Sequence, residues 1–521
     1  MEARENESVA TQVIVPAIKL RDWFRHDIQR PLENLVGGRK RLRVVALLAC
    51  VLALDAADKA TVGAVAAQLE HDLHIGNLQI GLLVAVSTGI SALTTLPFGA
   101  LVDRVHRGKL LTIAIALWSL AMIAAGASVS YSMLLITRLG LGAVVAIASP
   151  AIASLTGDFF HPAERGRIYG YILAGELVGV AFGFLISGNV AAILSWRASF
   201  WILAFLGLIL AVMIAKLLPE PRRGGQNPIP DRTRQQDPAR SDVPDNEVEE
   251  IVEERDIEPR EEQILHSDPL GMSVWDAVRY VLSIPTYRTL IIASALGYFY
   301  FTGLRTFAIV FVRGRFDLAQ ATASTFSVGV GLGAIVGVLV AGTLADKMID
   351  RGKLTGRILV GAGAYLLAAA ALVPGLFATS LWVASPFFFL AAAGLGGANP
   401  AVDAARLDIM HSRLWGRAEG VRSTLLYIFQ AIAPPLFGWV SGVFGGSAGF
   451  GGNGSPAQGH ASNGAGGLDI TFLIMLVTLA AAGLVMFRAL KTYPRDVATA
   501  IASEQAAPQK EESRDRNDRP G

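Results

Sequence analysis

Gly99-Ala100-Leu101-Val102-Asp103-Arg104, followed by Arg107-Gly108-Lys109, closes one long apolar run and opens the next. The pattern returns as Gly342-Thr343-Leu344-Ala345-Asp346-Lys347, followed by Arg351-Gly352-Lys353. The two aspartates stand 243 residues apart (346 minus 103). A second loop repeats at a similar offset: His161, Gly166, Arg167 and Gly170 recur 250 residues later as His411, Gly416, Arg417 and Gly420, and Asp158 recurs as Asp408. Two separate loops repeated at similar offsets indicate an internal duplication.

Outward from these loops the chain is apolar. Hydrophobic residues make up 52% of its 521 positions, charged residues only 17%, and mean hydropathy is +0.47. A soluble domain carries roughly 25% charge. A membrane span needs about 20 mostly apolar residues. Such stretches lie near 44–66, 79–101, 109–129, 131–157, 168–192 and 197–218, and again near 288–312, 321–345, 355–378, 381–405, 421–444 and 468–490. The expected fold is an all-α membrane protein of about twelve spans in two pseudo-symmetric six-helix bundles, 44–218 and 288–490. Residues 1–43 read as a cytoplasmic segment whose stretch 10–35 suits a helix lying on anionic lipid, or else a partly ordered tail. Residues 219–287 read as a linker, disordered over its Pro- and charge-rich part 219–270, with a short surface helix at Val274–Leu282. Residues 445–467 read as a flexible outer loop and 491–521 as a disordered tail.

Basic residues set the orientation. Arg39, Lys40, Arg41 and Arg43 precede the first span; others follow spans two, four, eight, ten (Arg413, Arg417, Arg422) and twelve. Loops 67–78, 376–381 and 445–467 hold no Lys or Arg, while Arg197, Arg313 and Arg315 are exceptions. Both termini and the linker are therefore expected on the cytoplasmic side of the cell's inner membrane. The first apolar run is too long for a cleaved signal and reads as a retained anchor. A net charge of +2 offers no basic field for nucleic acid, and the single cysteine, Cys50, fits no disulfide or metal pattern.

In the repeated loop, Gly99 or Gly342 lets a helix end approach its neighbour. Asp103 or Asp346 can favour a helix N-terminus and pair with a nearby arginine, making a contact that forms in one conformation and breaks in another. Gly99, Asp103, Arg104, Arg107, Gly342, Asp346, Lys347 and Arg351 are the expected latch. The Gly-x-Leu-x-Asp-Arg…Arg-Gly-Lys loop between spans two and three, its second copy and the long central linker resemble the major facilitator superfamily. Asp58-Lys59 in span one, Arg138 opening span four and Trp196-Arg197…Phe200 at the start of span six further resemble its Spinster-type lipid transporters. That family's acidic residue seven places after the span-four arginine is Val145 here.

Ionisable side chains at membrane depth are costly and usually face a cavity. Asp55 and Lys59 are four apart and can pair, which leaves Asp58 as the more available carboxylate, for proton exchange or as part of a structural charge cluster. Arg138 reads, by the resemblance, as binding an anionic headgroup or governing a proton carrier; the alternative is snorkelling to the outer surface. Glu176, among Gly175, Gly179 and Gly183, reads as a second proton carrier or as a partner for Arg138. Arg305, Asn399 beside Pro400, Asp403 and Gln430 before Pro434-Pro435 complete the candidate pathway, with Asp403 alternatively part of a cytoplasmic gate; Gly329, Gly333 and Gly337 read as packing.

These features favour a secondary transporter of a small organic or lipid-like solute working by alternating access, with proton coupling. A non-transporting sensor or lipid scramblase is the alternative. Zincin and P-loop motifs are absent, which argues against a zinc protease or direct ATP drive; no enzyme activity, cofactor or metal is expected. The expected partners are the solute, protons and membrane lipids, and the chain is expected to act as a monomer. Asp103→Asn is expected to slow solute flux several-fold in proteoliposomes while membrane insertion is unchanged.

Overall fold

The computed structural model describes residues 33, 36–102, 105–160, 165–220, 246–267, 269–411, 414–445 and 462–506. The helix expected over 10–35, the latch residues Asp103 and Arg104, and most of loop 445–467 lie outside these residues.

Every regular element among the described residues is helical. The first half comprises α1 (Arg39–Ala64), the short α2 (Ala66–Leu73), α3 (Asn77–Val102), α4 (Arg107–Gly126), α5 (Tyr131–Val145) with α6 (Ala148–Phe159) as one broken span, α7 (Arg165–Ile193) and α8 (Trp196–Leu217). Between the halves lie α9 (Asn246–Glu254) and α10 (Val274–Ser283). The second half comprises α11 (Pro285–Phe316), α12 (Gln320–Ile349), α13 (Gly356–Phe377), α14 (Leu381–Asp408), α15 (Trp415–Gly445) and α16 (Ser462–Met486), followed by α17 (Ala489–Ala506). Eleven described spans are long and apolar enough to cross a membrane. The twelfth is α1, whose apolarity Asp55, Asp58 and Lys59 dilute.

Helix contact follows glycine. Gly175, Gly179 and Gly183 recur every four residues on α7 and lie against Ala49, Ala53 and Ala57 on α1. The four-residue period keeps each series on one face, so two backbones meet along a seam with no side chain between. In the second half Gly333 and Gly337 meet the carbonyls of Phe389 and Ala393 on α14. Gly329 and Gly342 do not take part: a Cβ at either meets nothing within 4 Å. The close approach expected at Gly342 is therefore absent. Asp346 and Lys347, in the last turn of α12, and Arg351 just beyond it are all exposed, so the second copy of the latch faces solvent in this conformation.

The described helix ends that flank the repeated motifs, with Val36 just ahead of α1 and the helix Ala489–Ala506, share one end of the bundle, here termed the basic face. Direct contacts between the halves cluster toward the opposite, far face. Gly81 packs on the Pro434 carbonyl, Gly438 on that of Asn77, and Gly63 on the carbonyls of Arg305 and Thr306. Asn77 Nδ2 donates to Ser441 Oγ at 3.0 Å, and Gln320 Nε2 donates to the Ala64 carbonyl.

The linker and tail correct two expectations. Residues 246–267 and 489–506 are ordered against one another rather than disordered. Ile251, Val252 and Leu265 join the buried cluster that contains Tyr493 and Val497. Asp496 on α17 takes an ion pair from Arg260 at 2.9 Å and the Thr286 amide at 2.9 Å, so linker, tail and α11 share one buried carboxylate. A high average charge conceals this apolar stripe.

Gly179→Val is expected to destabilise the purified protein by about 1–3 kcal/mol, because its side chain would meet the Ala53 backbone. Gly329→Val, facing open space, is expected to leave the thermal midpoint unchanged.

Candidate functional site

Three charged pairs of side chains occupy the middle of the bundle, and each is arranged differently. Asp58 on α1 and Arg138 on α5 are 2% and 1% exposed. Arg138 Nη1 donates to both carboxylate oxygens of Asp58, at 2.7 and 2.9 Å. The guanidinium also lies 5.0 Å from the centroid of the Phe200 ring. Phe200 stacks edge-on with Trp196, whose Nε1 donates to Asp72 at 2.9 Å. Arg197 covers the outer side of Trp196, with its guanidinium 4.2 Å from the ring centroid. The α8 residues that resembled a family signature are thus the support on which Arg138 rests. His71 and Trp196 both donate to Asp72, and with the nearby charge of Arg197 they hold its carboxyl below the usual range.

This pairing bears on alternatives that the sequence left open. Asp58 is locked in the ion pair and is not the available carboxylate. Arg138 does not snorkel, since its guanidinium is buried. Its partner is Asp58 rather than Glu176.

The second pair, Lys59 and Asp55, has the expected four-residue spacing, with Nζ 2.6 Å from Oδ2. Lys59 also lies 5.8 Å from the Tyr427 ring centroid on α15, across the interface between the halves. Asp55 borders an apolar pocket lined by Val51, Leu54, Leu111, Trp118 and Val145. Val145 therefore contributes a wall where the resembling family has a charge.

The third pair is of a different kind. Glu176 on α7 and Arg305 on α11 come from opposite halves. Arg305 is 7% exposed, yet it makes no hydrogen bond or ion pair among the described residues; its close contact is the Phe301 ring, 5.6 Å from the guanidinium to the centroid. Of the acidic groups acting on it, Glu176 is the strongest, ahead of Asp55 and Asp58. Glu176 is half-buried and accepts no hydrogen bond from a described residue. Asn399 and Gln430 are half-buried as well and keep their side chains free of hydrogen bonds among the described residues.

Toward the basic face the second half holds a cluster that the sequence did not reveal. Arg406 donates to Glu419 at 2.6 Å and also to Asp403; Arg422 donates to Glu419 at 2.8 Å and lies 3.5 Å from Asp403. Asp403 thus belongs to this network. Arg422, counted as a loop charge in the sequence, is buried. A helix started at Trp415 would have placed Glu419 and Arg422 on one face, three residues apart.

At the basic face itself Arg107 donates to Asp158, to Ser154 at 2.9 Å and to Glu220 at 3.2 Å. Glu220 also accepts the amides of Arg107 and Gly108 at the start of α4. Partial burial alone would raise the Glu220 pKa, but these amides and the Arg107 guanidinium outweigh it and hold the carboxyl below its usual range. Arg357 repeats the arrangement with Asp408, and Tyr493 takes the third place. The counterpart of Arg107 is therefore Arg357, exactly one repeat of 250 residues away, and not Arg351.

The profile of the Major Facilitator Superfamily matches residues 47–434. Among curated relatives, a probable L-galactonate transporter of Escherichia coli K12 is 27% identical over 191 residues, covering 36% of this chain and 42% of the relative. The multidrug transporter AQR1 of Candida glabrata is 32% identical over 161 residues, covering 30% and 26%. The chain thus spans less than half the length of either. A bacterial homologue of the human lysosomal transporter Spinster, inward-facing and unoccupied, superposes with a TM-score of 0.66 at 20% identity, covering 88% of this chain and 98% of that one. Its occupied form gives 0.66 at 21%, covering 87% and 97%. At these identities the structural likeness concerns the fold.

Asp58→Asn is expected to destabilise the protein by about 3–5 kcal/mol, because Arg138 is left as an uncompensated buried charge. The double variant Asp58→Asn/Arg138→Gln is expected to lose less than the two single losses combined, in a thermal double-mutant cycle.

Proposed function

The chain belongs to the Major Facilitator Superfamily, and on that premise we propose that it is a secondary active transporter that moves a small organic or lipid-like solute by alternating access, coupled to protons. The basic face is cytoplasmic, the far face is the outer side of the cell membrane, and the working unit is a single chain. The observation that carries this reading is the placement of Glu176 and Arg305: opposite, unbonded charges at mid-depth, one on each half, where rocking of the halves changes their separation.

The solute site lies between the halves, bordered by Glu176, Arg305, Tyr427, Asn399 and Gln430. Transporters of a sugar acid and of drugs among the relatives support a small organic solute. The apolar side chains beside Asp55, among them Leu54, Trp118 and Val145, support a lipid-like part by their chemistry. Glu176 is the proton carrier that the geometry favours, because Asp58 and Asp55 already hold cationic partners. The Arg107 and Arg357 networks fix helix ends within each half, so that each moves as one body. The far-face contacts of Asn77, Gly81 and Gly63 separate when the solute site opens outward.

Cysteine replacement tests the rocking. In a Cys50→Ser background, Asn77→Cys and Ser441→Cys stand where the native side chains touch across the halves. Oxidation is expected to abolish flux in proteoliposomes and reduction to restore it. Flux that continues through the cross-linked protein counts against alternating access. Lipid scrambling that survives cross-linking would instead favour the scramblase reading.

A further inference from the structure

Resting on the transporter reading, we propose that the solute is an organic anion whose carboxylate or phosphate group is held by Arg305, and that a proton on Glu176 keeps the loaded site neutral.

The argument is one of charge balance. Six charged side chains share the middle of the bundle: Asp55, Asp58, Glu176, Lys59, Arg138 and Arg305. Two pairs are closed by hydrogen bonds within the first half, at 2.6 Å for Lys59–Asp55 and 2.7 Å for Arg138–Asp58. They leave one anion and one cation without hydrogen bonds, and these sit on different halves. A guanidinium is a planar fork of five donors that matches carboxylate and phosphate oxygens. Burying it with its donors unused is costly, and Arg305 is 7% exposed with its guanidinium over the Phe301 ring and no acceptor among the described residues. Its nitrogens are not among the fully enclosed polar atoms that lack a partner, so they retain an open side.

In a medium of low dielectric the occluded site must stay close to neutral. With Glu176 ionised and no solute, Arg305 and Glu176 cancel at a distance. An added anion brings the net charge to minus one, unless Glu176 takes a proton from the water on that side. The proton then forms a bond to a Glu176 carboxylate oxygen, and the solute replaces Glu176 as the counter-ion of Arg305. One proton and one negative charge cross together, so net charge transfer is zero for a monoanion. The groups that bear on Glu176 are Arg305 and Tyr298 from α11 and Tyr427 from α15. Its packing neighbour α1 carries Asp55, Asp58 and Lys59, whereas α8 and α12 bring no ionisable side chain to that depth.

The test uses the purified full-length protein and paired probes: gluconate, hexanoate and hexyl phosphate, against glucose, hexanol and hexylamine. Thermal stabilisation is expected from at least one anion and from none of the neutral or cationic partners, with uptake of one proton per anion bound, read by a pH indicator in weak buffer. Whether the carboxylates or the phosphate respond tells which headgroup is taken. Arg305→Gln is expected to weaken the responding anion at least about tenfold, and Arg305→Lys to retain part of the affinity at an unchanged unliganded melting temperature. Glu176→Gln is expected to keep the stabilisation and lose the proton uptake. Stabilisation by a neutral or cationic probe alone, no response to any anion, or full anion affinity in Arg305→Gln overturns the proposal. Arg305-dependent anion binding without flux in proteoliposomes would sink the transporter reading and leave the anion site standing.

Discussion

The ion pair between Asp58 and Arg138 is the constraint around which the first half is built. Each ion alone at that depth would cost several kcal/mol. Together, and with Phe200 under the guanidinium, they fix α1 against α5 and α8. The line continues outward through Trp196 to Asp72 and Arg197, so that one buried charge is tied to the far surface by successive aromatic and polar contacts. The glycine seam of α7 completes the arrangement from the other side by bringing the α1 backbone, with its three ionisable residues, close to Glu176.

The same rule of compensation sorts the other charges of the molecule. Arg107, Asp158 and Glu220 neutralise one another at the basic face of the first half, and Arg357, Asp408 and Tyr493 form the corresponding group in the second. Asp403, Arg406, Glu419 and Arg422 form a four-membered group with equal numbers of each sign. Glu176 and Arg305 stand outside every such group. Being unbonded is therefore a property that distinguishes them from nearly every other buried charge described, and it is why function is placed there.

Much of this was legible in the sequence. The duplicated loops gave the two halves, apolar length gave the spans, and the spacing of Asp55 and Lys59 gave their pairing. Periodicity could not reveal partners from distant segments: packing joins Arg138 to Asp58, and packing brings Arg305 under the electrostatic influence of Glu176 without a bond between them. Motif similarity also aligned the wrong arginine. Arg351 sits in a loop that looks like the first one, but Arg357 opens its helix as Arg107 does, and a helix start beside an acidic helix end is what the ion pair requires. The tail and linker were read as disordered because composition averages charge over a window, whereas order there rests on one stripe of Ile251, Val252, Tyr493 and Val497 and on the single carboxylate of Asp496.

The two faces of the bundle are held in different ways, and the difference bears on how the protein works. At the far face the halves meet through backbone: Gly81 on Pro434, Gly438 on Asn77, Gly63 on Arg305 and Thr306. Such contacts are short-ranged, apolar or weakly polar, and lost together when the surfaces part by an ångström or two. At the basic face the strong interactions lie inside each half, where motion between halves leaves them intact. Strong bonds within bodies and short-ranged contacts between them are what rigid-body rocking demands. The same contacts also link the two ends of the proposed mechanism: Gly63 touches the backbone of Arg305 itself, so a change in how the Arg305 charge is balanced acts on a residue already part of the far-face closure.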